Sequence, residues 1–160
     1  MPDPFVESRI RTLPVFARLS PNQLSMVAEI VAVLRYQPGE LIFRQNDPTR
    51  GLYFMVSGRA QLVQVQPGGQ PQALGAVQAN QYINEAALVQ PGRESAALRV
   101  IEPALVLLVP RDRLAELVAR NPHIQQNLPI QIDTSQATGG NHDMLRRPVG
   151  PSFPNQPPDN

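Results

Sequence analysis

Residues 81–100 read QYINEAALVQPGRESAALRV, and the rest of the chain is interpreted outward from this stretch. Asn84, a turn-forming residue, precedes the acid Glu85 and a small apolar run. A short helical turn that starts at Asn84 would direct its first backbone N–H groups at whatever lies in front of it, which is a natural site for an anion. A polar Arg-Glu-Ser cluster follows at residues 93–95. The stretch therefore predicts that an acid and a polar cluster converge on one small ligand.

The chain on either side of this stretch has the pattern of a β protein. Alternating apolar segments over residues 34–78 are separated by Gly- and Pro-rich turns. Several short strands at near-regular spacing are typical of a β-sandwich or a barrel-like roll. Gly58 and Arg59 have the order of a type II′ hairpin turn, so we expect the strands on either side of them to pair. Two further strands are predicted around Glu102-Pro103, at residues 97–101 and 105–109.

Helices are predicted at both ends of this β region. Ser20 can cap a helix whose first turn holds Pro21, and Gln23 completes a capping box. Apolar residues at helical spacing extend this helix to about Val33. The other predicted helices are a short one within residues 4–19, one that Asp112 caps and that runs through Arg120, and one that starts at Asn121-Pro122.

Length and composition predict one domain followed by a tail. The 160 residues are enough for a single core, which we place at residues 4–128. Residues 129–160 are rich in Pro, Gly, Asn and Gln, and we expect them to be a disordered tail or a linker. A net charge of +1 gives no reason to expect nucleic acid or an anionic membrane as the main partner. With neither a membrane span nor a signal peptide in the sequence, we expect a cytoplasmic protein.

Several motifs resemble those of the cyclic nucleotide-binding domain family. PGELIF at residues 38–43 is similar to the family's P-G-E/D-x-I-F segment, and residues 46–58 resemble its G-D…Y…G segment. LVPR at residues 108–111 resembles the passage from the last strand to the exit helices. Residues 81–100 resemble the phosphate-binding cassette, F-G-E-x-A-L, a loop and then R-S/A-A-T-V-R-A. The resemblance implies a mainly β fold with flanking helices, the jelly-roll β-roll of this family.

The resemblance also implies a ligand, a cyclic nucleotide such as cyclic AMP. In the family the cassette acid binds the ribose hydroxyl, while backbone amides and a serine hold the cyclic phosphate. Glu85 and Ser95 occupy these two positions, although Glu85 can equally be an acid that favours the helix dipole and Ser95 a solvent-facing strand residue. Asn84 stands where the family has glycine. The predicted ligand-binding residues are Asn84, Glu85, Ala86, Arg93, Glu94, Ser95 and Ala96.

The cassette departs from the family at the arginine that neutralises the phosphate. Counted back without gaps from Arg99, this position holds Glu94, and Arg93 lies one residue earlier. In a strand, a shift of one residue turns a side chain to the opposite face, so Arg93 does not simply replace the missing arginine. A carboxylate about 4 Å from a phosphate is repelled by about 4 kcal/mol at an effective dielectric constant near 20.

Two functions remain open. The first is a non-enzymatic regulatory module, in which a small anionic ligand repositions the exit helices, residues 111–128, and so signals to a protein partner or to an effector domain outside this chain. The second is a degenerate, ligand-free scaffold or protein-interaction domain. In that case Glu94 would pair with Arg93 or Arg99 and hold the pocket closed without ligand.

Other classes of function have little support in the sequence. The chain has no cysteine, no Gly-rich phosphate loop and no metal-ligand spacing, and its two histidines are His123 and His142. We therefore predict no catalytic residues, no metal site and no cofactor; a cupin-type jelly roll would need histidines on its strands. A DNA-binding module of the catabolite-activator type is also disfavoured, because Pro129 cuts the helix short and too few residues follow it.

Overall fold

The computed structural model describes residues 3–135 of the chain. Four α-helices, six strands and two short 3₁₀ turns make up this part of the protein. In chain order they are α1 (Pro4–Ile10), a 3₁₀ turn (Pro14–Phe16), α2 (Pro21–Ile30), β1 (Ala32–Tyr36), β2 (Leu41–Phe43), β3 (Gly51–Val65), β4 (Pro71–Gln78), β5 (Tyr82–Ile83), a second 3₁₀ turn (Glu85–Leu88), β6 (Ala97–Pro110), α3 (Arg111–Arg120) and α4 (His123–Gln126).

Two long antiparallel strands, β3 and β6, form the centre of the sheet. Gly51 pairs with Pro110 at one end of this ladder, and Val63 pairs with Ala97 at the other. The short strands β1 and β2 pair with β6, whereas β4 and β5 pair with β3. The architecture is mainly β with flanking helices, so the predicted fold class is confirmed.

Both faces of the central strands are buried at one end of the ladder, where residues 51–55 of β3 pair with residues 106–110 of β6. Successive side chains of a strand point to opposite faces, so Leu52 and Phe54 pack under the helices while Tyr53 and Met55 point into the roll. The helical side of the core contains residues of α1, α2 and α3, and the interior of the roll is a separate apolar cluster. Burial on both faces explains the nearly continuous apolar sequence of these strands.

The second helix starts as predicted but ends earlier. Ser20 and Gln23 form the reciprocal capping box, with the Gln23 backbone N–H donating to the Ser20 hydroxyl at 3.2 Å. The helix ends at Ile30 and not at Val33, because Val31 already has an extended backbone and β1 follows at once. Val31 packs against the helical cluster and Leu34 against the interior of the roll, so their helical spacing was misleading.

The predicted hairpin at Gly58 and Arg59 is wrong. Strand β3 runs through both residues, and Gly58 has a φ of 92° within the strand. A Cβ atom at Gly58 would lie 2.2 Å from the carbonyl oxygen of Pro103, so glycine allows the two long strands to approach closely here. Pro103 in turn lies inside β6 next to a shift in the strand register, and the predicted break between two strands is also wrong. A proline is tolerated at such an irregularity, where a ladder hydrogen bond is already missing.

The exit helices follow β6 directly. Helix α3 begins at Arg111, with Pro110 in the N-cap position and no capping side chain, so the predicted cap by Asp112 is wrong; the helix ends at Arg120 as predicted. Contacts of the domain continue past residue 128, the predicted boundary, because Ile132 is buried in the helical cluster and its backbone N–H donates to Gln125. Residues 136–160 of the predicted tail, with His142, lie outside the described residues.

A glycine substitution pair tests the close approach of the long strands. We expect Gly58→Ala to lower the free energy of unfolding by about 3 kcal/mol or more, since the methyl group clashes with backbone as well as straining φ. Gly69→Ala is the matched control, because Gly69 has the same φ of 92° with nothing within 4 Å of an added Cβ. It should cost only the strain of about 1–2 kcal/mol. Equal losses in urea denaturation would contradict the close approach.

Candidate ligand-binding site

The site is built on the turn that Asn84 begins. Strand β5 pairs Ile83 with Tyr53, which anchors the chain just before this turn to the central sheet. Asn84 has a left-handed backbone, with φ at 69°, and caps the 3₁₀ turn Glu85–Leu88. An asparagine adopts this conformation more readily than most residues, which is how it replaces the glycine of the cassette pattern. The short helical turn predicted at Asn84 is therefore present.

The two ends of the 3₁₀ turn have different environments. Ala87 and Leu88 are buried and anchor it to the core, whereas Glu85 is half-buried and Ala86 is exposed. Within residues 3–135 no hydrogen bond or ion pair occupies the Glu85 carboxylate. This leaves Glu85 available to a ligand at the open end of the turn.

Glu94 contacts the turn from the other side of the cassette loop. Its side chain is only 5% exposed, and it is the sole charged residue buried to this degree in the described part of the chain. The side-chain amide nitrogen of Asn84 donates to both carboxylate oxygens of Glu94, at 3.0 and 2.8 Å. The structure thus joins two predicted site residues directly and turns Glu94 inward.

The residues next to Glu94 differ from it in exposure, although they precede β6 and do not belong to a strand. Arg93 is exposed, and its guanidinium donates to the carbonyl oxygen of Asn46 at 2.9 Å. Ser95 is exposed as well, whereas Ala96 is buried. The structure therefore does not bring Arg93 and Ser95 to the buried side with Glu94. The alternative that Glu94 pairs with Arg93 or Arg99 is wrong for this structure, since Asn84 is its side-chain partner.

The pKa of Glu94 follows from these contacts. Burial raises the pKa of this carboxyl above its ordinary value, the hydrogen bonds from Asn84 lower it, and the negative charge of Asp47 raises it again. The net direction is upward. Asp47 is close because its carbonyl oxygen accepts the backbone N–H of Glu94 at 2.8 Å.

A pocket of about 430 Å³ adjoins the cassette. Tyr82 and Ile83, the two residues that lead into Asn84, form part of its wall. Its surface is mostly apolar, and the volume suits a small organic ligand. Sequence reasoning missed the remaining wall, because it depends on the pairing of β3 with β4; these residues are Leu62, Gly75, Ala76, Val77, Asn80 and Gln81.

Arg111 links the cassette to the exit helices. It is the first residue of α3, and its guanidinium donates to the carbonyl oxygens of Ala87 in the 3₁₀ turn, at 3.3 Å, and of Thr49, at 3.2 Å. Thr49 in turn accepts from the backbone N–H of Gly92 in the cassette loop, at 3.1 Å. Both ends of the cassette loop are thereby connected to the start of α3. The sequence carried no signal for this link beyond the position of Arg111 at the strand-to-helix exit.

Comparison with known proteins agrees with this geometry. A family model for the cyclic nucleotide-binding domain matches residues 33–121, more than half of the chain. The chain belongs to the cyclic nucleotide-binding domain family. The match includes the whole cassette and helix α3, so the predicted family membership is confirmed.

The individual relatives include a cyclic AMP receptor protein and a protein kinase regulatory subunit. The chain is 28% identical to the cyclic AMP receptor protein of Thermus thermophilus over 72% of its own length and 53% of that protein. It is 22% identical to the cAMP-dependent protein kinase regulatory subunit of Emericella nidulans, over 82% of this chain and 31% of the relative. The chain thus spans about half the length of the first of these relatives and less of the second.

The fold is shared with solved structures. The N-terminal domain of a transcriptional regulator from Streptomyces coelicolor superposes with a TM-score of 0.68 at 23% identity, covering 75% of this chain and 84% of that one. The described part of the chain therefore has the cyclic nucleotide-binding β-roll fold.

Within the described residues there is no cluster of metal-ligating side chains, and no helix is long and apolar enough to span a membrane.

The buried carboxylate predicts a pH dependence of stability. A raised pKa in the folded state means that protonated Glu94 contributes stability below the ordinary carboxyl pKa of 4.5, and that this stability is lost as the pH rises through the folded pKa. We expect Glu94→Gln, which keeps an oxygen acceptor for Asn84, to be increasingly more stable than the native chain as the pH rises above 4.5. Urea denaturation at several pH values measures this difference. The exposed Glu102→Gln is the control, and a Glu94→Gln difference that is independent of pH would contradict the assignment.

Proposed function

We propose that this chain is a ligand-sensing regulatory domain with no catalytic activity of its own, and that its ligand is a cyclic nucleotide or a closely related small anion. The observation that carries the proposal is the pocket against β4 and β5, whose wall includes Tyr82 and Ile83, the two residues that precede Asn84 and Glu85 in the chain. We infer that a ligand in this pocket extends toward the cassette. Family membership supports the same interpretation.

The pocket and the cassette suit different parts of such a ligand. The apolar wall, with Leu62, Val77 and Ile83, can pack against a planar base. Glu85, half-buried and without a partner among the described residues, can accept hydrogen bonds from sugar hydroxyls. The backbone N–H groups at the start of the 3₁₀ turn, which have no acceptor within the turn, can hold a phosphate oxygen.

The relay from the ligand to the exit helices passes through Arg111. A ligand that draws the 3₁₀ turn toward itself displaces the carbonyl oxygen of Ala87, which is one acceptor of the Arg111 guanidinium. Because Arg111 is also the first residue of α3, the position of that helix then depends on the state of the cassette. Binding shifts the population of the helix only as far as the ligand contacts one arrangement better than the other.

A titration tests the ligand. We expect cyclic AMP, cyclic GMP or a cyclic dinucleotide to bind with a micromolar Kd in calorimetry at about pH 6, and Glu85→Gln to weaken this binding about tenfold or more, since hydrogen bonds to a charged acceptor are lost. Glu29→Gln is the matched control, because this exposed acid lies on α2, which does not line the pocket. Silence with all three nucleotides on folded protein would overturn the proposal. The ligand-free scaffold, with Asn84 and Glu94 closing the site, would then be favoured.

A second measurement tests the relay. In the native chain we expect the nucleotide to change amide hydrogen exchange in α3 as well as in the cassette. Arg111→Met should reduce the change in α3 while the Kd stays within about threefold, since Arg111 contacts the turn and not the pocket. Arg113→Met, two residues further along the same helix, is the control and should leave the exchange pattern unchanged. An unaltered α3 response in Arg111→Met would show that Arg111 does not carry the signal.

A further inference from the structure

The buried carboxylate of Glu94 is incompletely satisfied. A carboxylate has about four lone-pair positions, and Glu94 receives two side-chain hydrogen bonds, both from the single amide nitrogen of Asn84. A charge withdrawn from water without a counter-ion is costly. Glu94 therefore has a physical reason to accept a proton whenever further negative charge approaches.

The groups around Glu94 strengthen this tendency. Asp47, on the turn before β3, adds negative charge, and the half-buried Glu85 lies on the neighbouring 3₁₀ turn. Burial raises the pKa of the Tyr53 phenol on β3; the positive charge of Arg50 opposes this, and the negative charge of Glu94 raises the pKa further. Arg93 points at the carbonyl oxygen of Asn46. In the described part of the chain, no positive charge is among the influences that shift the pKa of Glu94.

We propose that the domain takes up one proton when it binds the phosphate of a cyclic nucleotide, and that Glu94 is the group that receives it. The inference rests on the proposed function and adds to it the chemistry by which an anion enters an acidic site. The proton comes from solvent, the carboxylate becomes a neutral carboxyl, and its O–H donates to a phosphate oxygen. The second oxygen of the carboxyl still accepts from Asn84, so the side chain keeps its position.

This coupling makes the nucleotide affinity depend on pH. Where Glu94 is ionised in the free protein, the uptake of one proton weakens binding about tenfold for each unit of rising pH. Where Glu94 is already protonated, the affinity is constant. Asn84 influences the pH at which the affinity begins to fall, because its two hydrogen bonds favour the ionised form of Glu94.

The experiment is calorimetric titration of the full chain with cyclic AMP between about pH 5 and pH 8, in two buffers with different ionisation enthalpies. We expect about one proton to be taken up per nucleotide at the upper end of this range and the Kd to rise with pH. Glu94→Gln should bind without proton uptake, with a Kd that does not change with pH and that is at least tenfold lower than that of the native chain near neutrality. Any proton taken up or released by the nucleotide itself is the same for the native chain and for Glu94→Gln, so it cancels when the two proteins are compared.

A second variant keeps the test informative if Glu94→Gln folds poorly. Asn84→Gly retains the left-handed backbone, with φ at 69°, and removes the donor of the ionised Glu94, so the onset of the pH dependence should move to higher pH. Nucleotide binding with no proton uptake and no pH dependence in the native chain would overturn this inference and leave the proposed function standing. No binding at any pH, by any of the folded proteins, would overturn both.

Discussion

The antiparallel pairing of β3 with β6 is the constraint on which the rest of the structure depends. Each of the other strands pairs with one of these two, and the register of the pair decides which segments meet at its ends. Gly51 lies opposite Pro110, so the turn before β3 is beside the first residue of α3. That proximity lets Arg111 reach Thr49 and, through the same guanidinium, the 3₁₀ turn of the cassette. The candidate site and the exit helices are thus connected by the geometry of one strand pair.

The turn at residues 46–49 is the place where these connections come together. Asn46 accepts from Arg93, Asp47 accepts the backbone N–H of Glu94, and Thr49 exchanges hydrogen bonds with Gly92. Hydrogen bonds from the turn at residues 46–49 therefore hold the second half of the cassette loop, while the 3₁₀ turn in its first half contacts Arg111. A loop with a direct contact to the start of a helix suits a domain that reports a small change at a ligand to that helix.

The charge at the candidate site differs from that of the cassette pattern, because the buried carboxylate of Glu94 lies where that pattern has an arginine. The amide of Asn84 satisfies part of the carboxylate but neutralises none of its charge. A buried charged group contributes little to stability unless it is paired, so the proposed ligand chemistry accounts for Glu94 at this position better than a role in folding does. The proposed protonation of Glu94 removes this charge when an anion binds, and it makes the binding depend on pH.

The sequence by itself determined the features that neighbouring residues encode. The capping box of Ser20 and Gln23 and the turn at Asn84 were predictable, because helix caps and turns depend on residues close together in the chain. Strand alternation predicted a β-sandwich or barrel-like roll, and the family resemblance specified the β-roll. In the structure Arg93 is exposed and Glu94 is buried, although both residues precede β6 and strand alternation does not apply to them. Only the tertiary structure decided that Gly58 lies within a strand, that Asn84 binds Glu94 and that Arg111 reaches Ala87. These contacts join residues that are distant in sequence or that belong to different elements, and they depend on strand register, which no local pattern specifies.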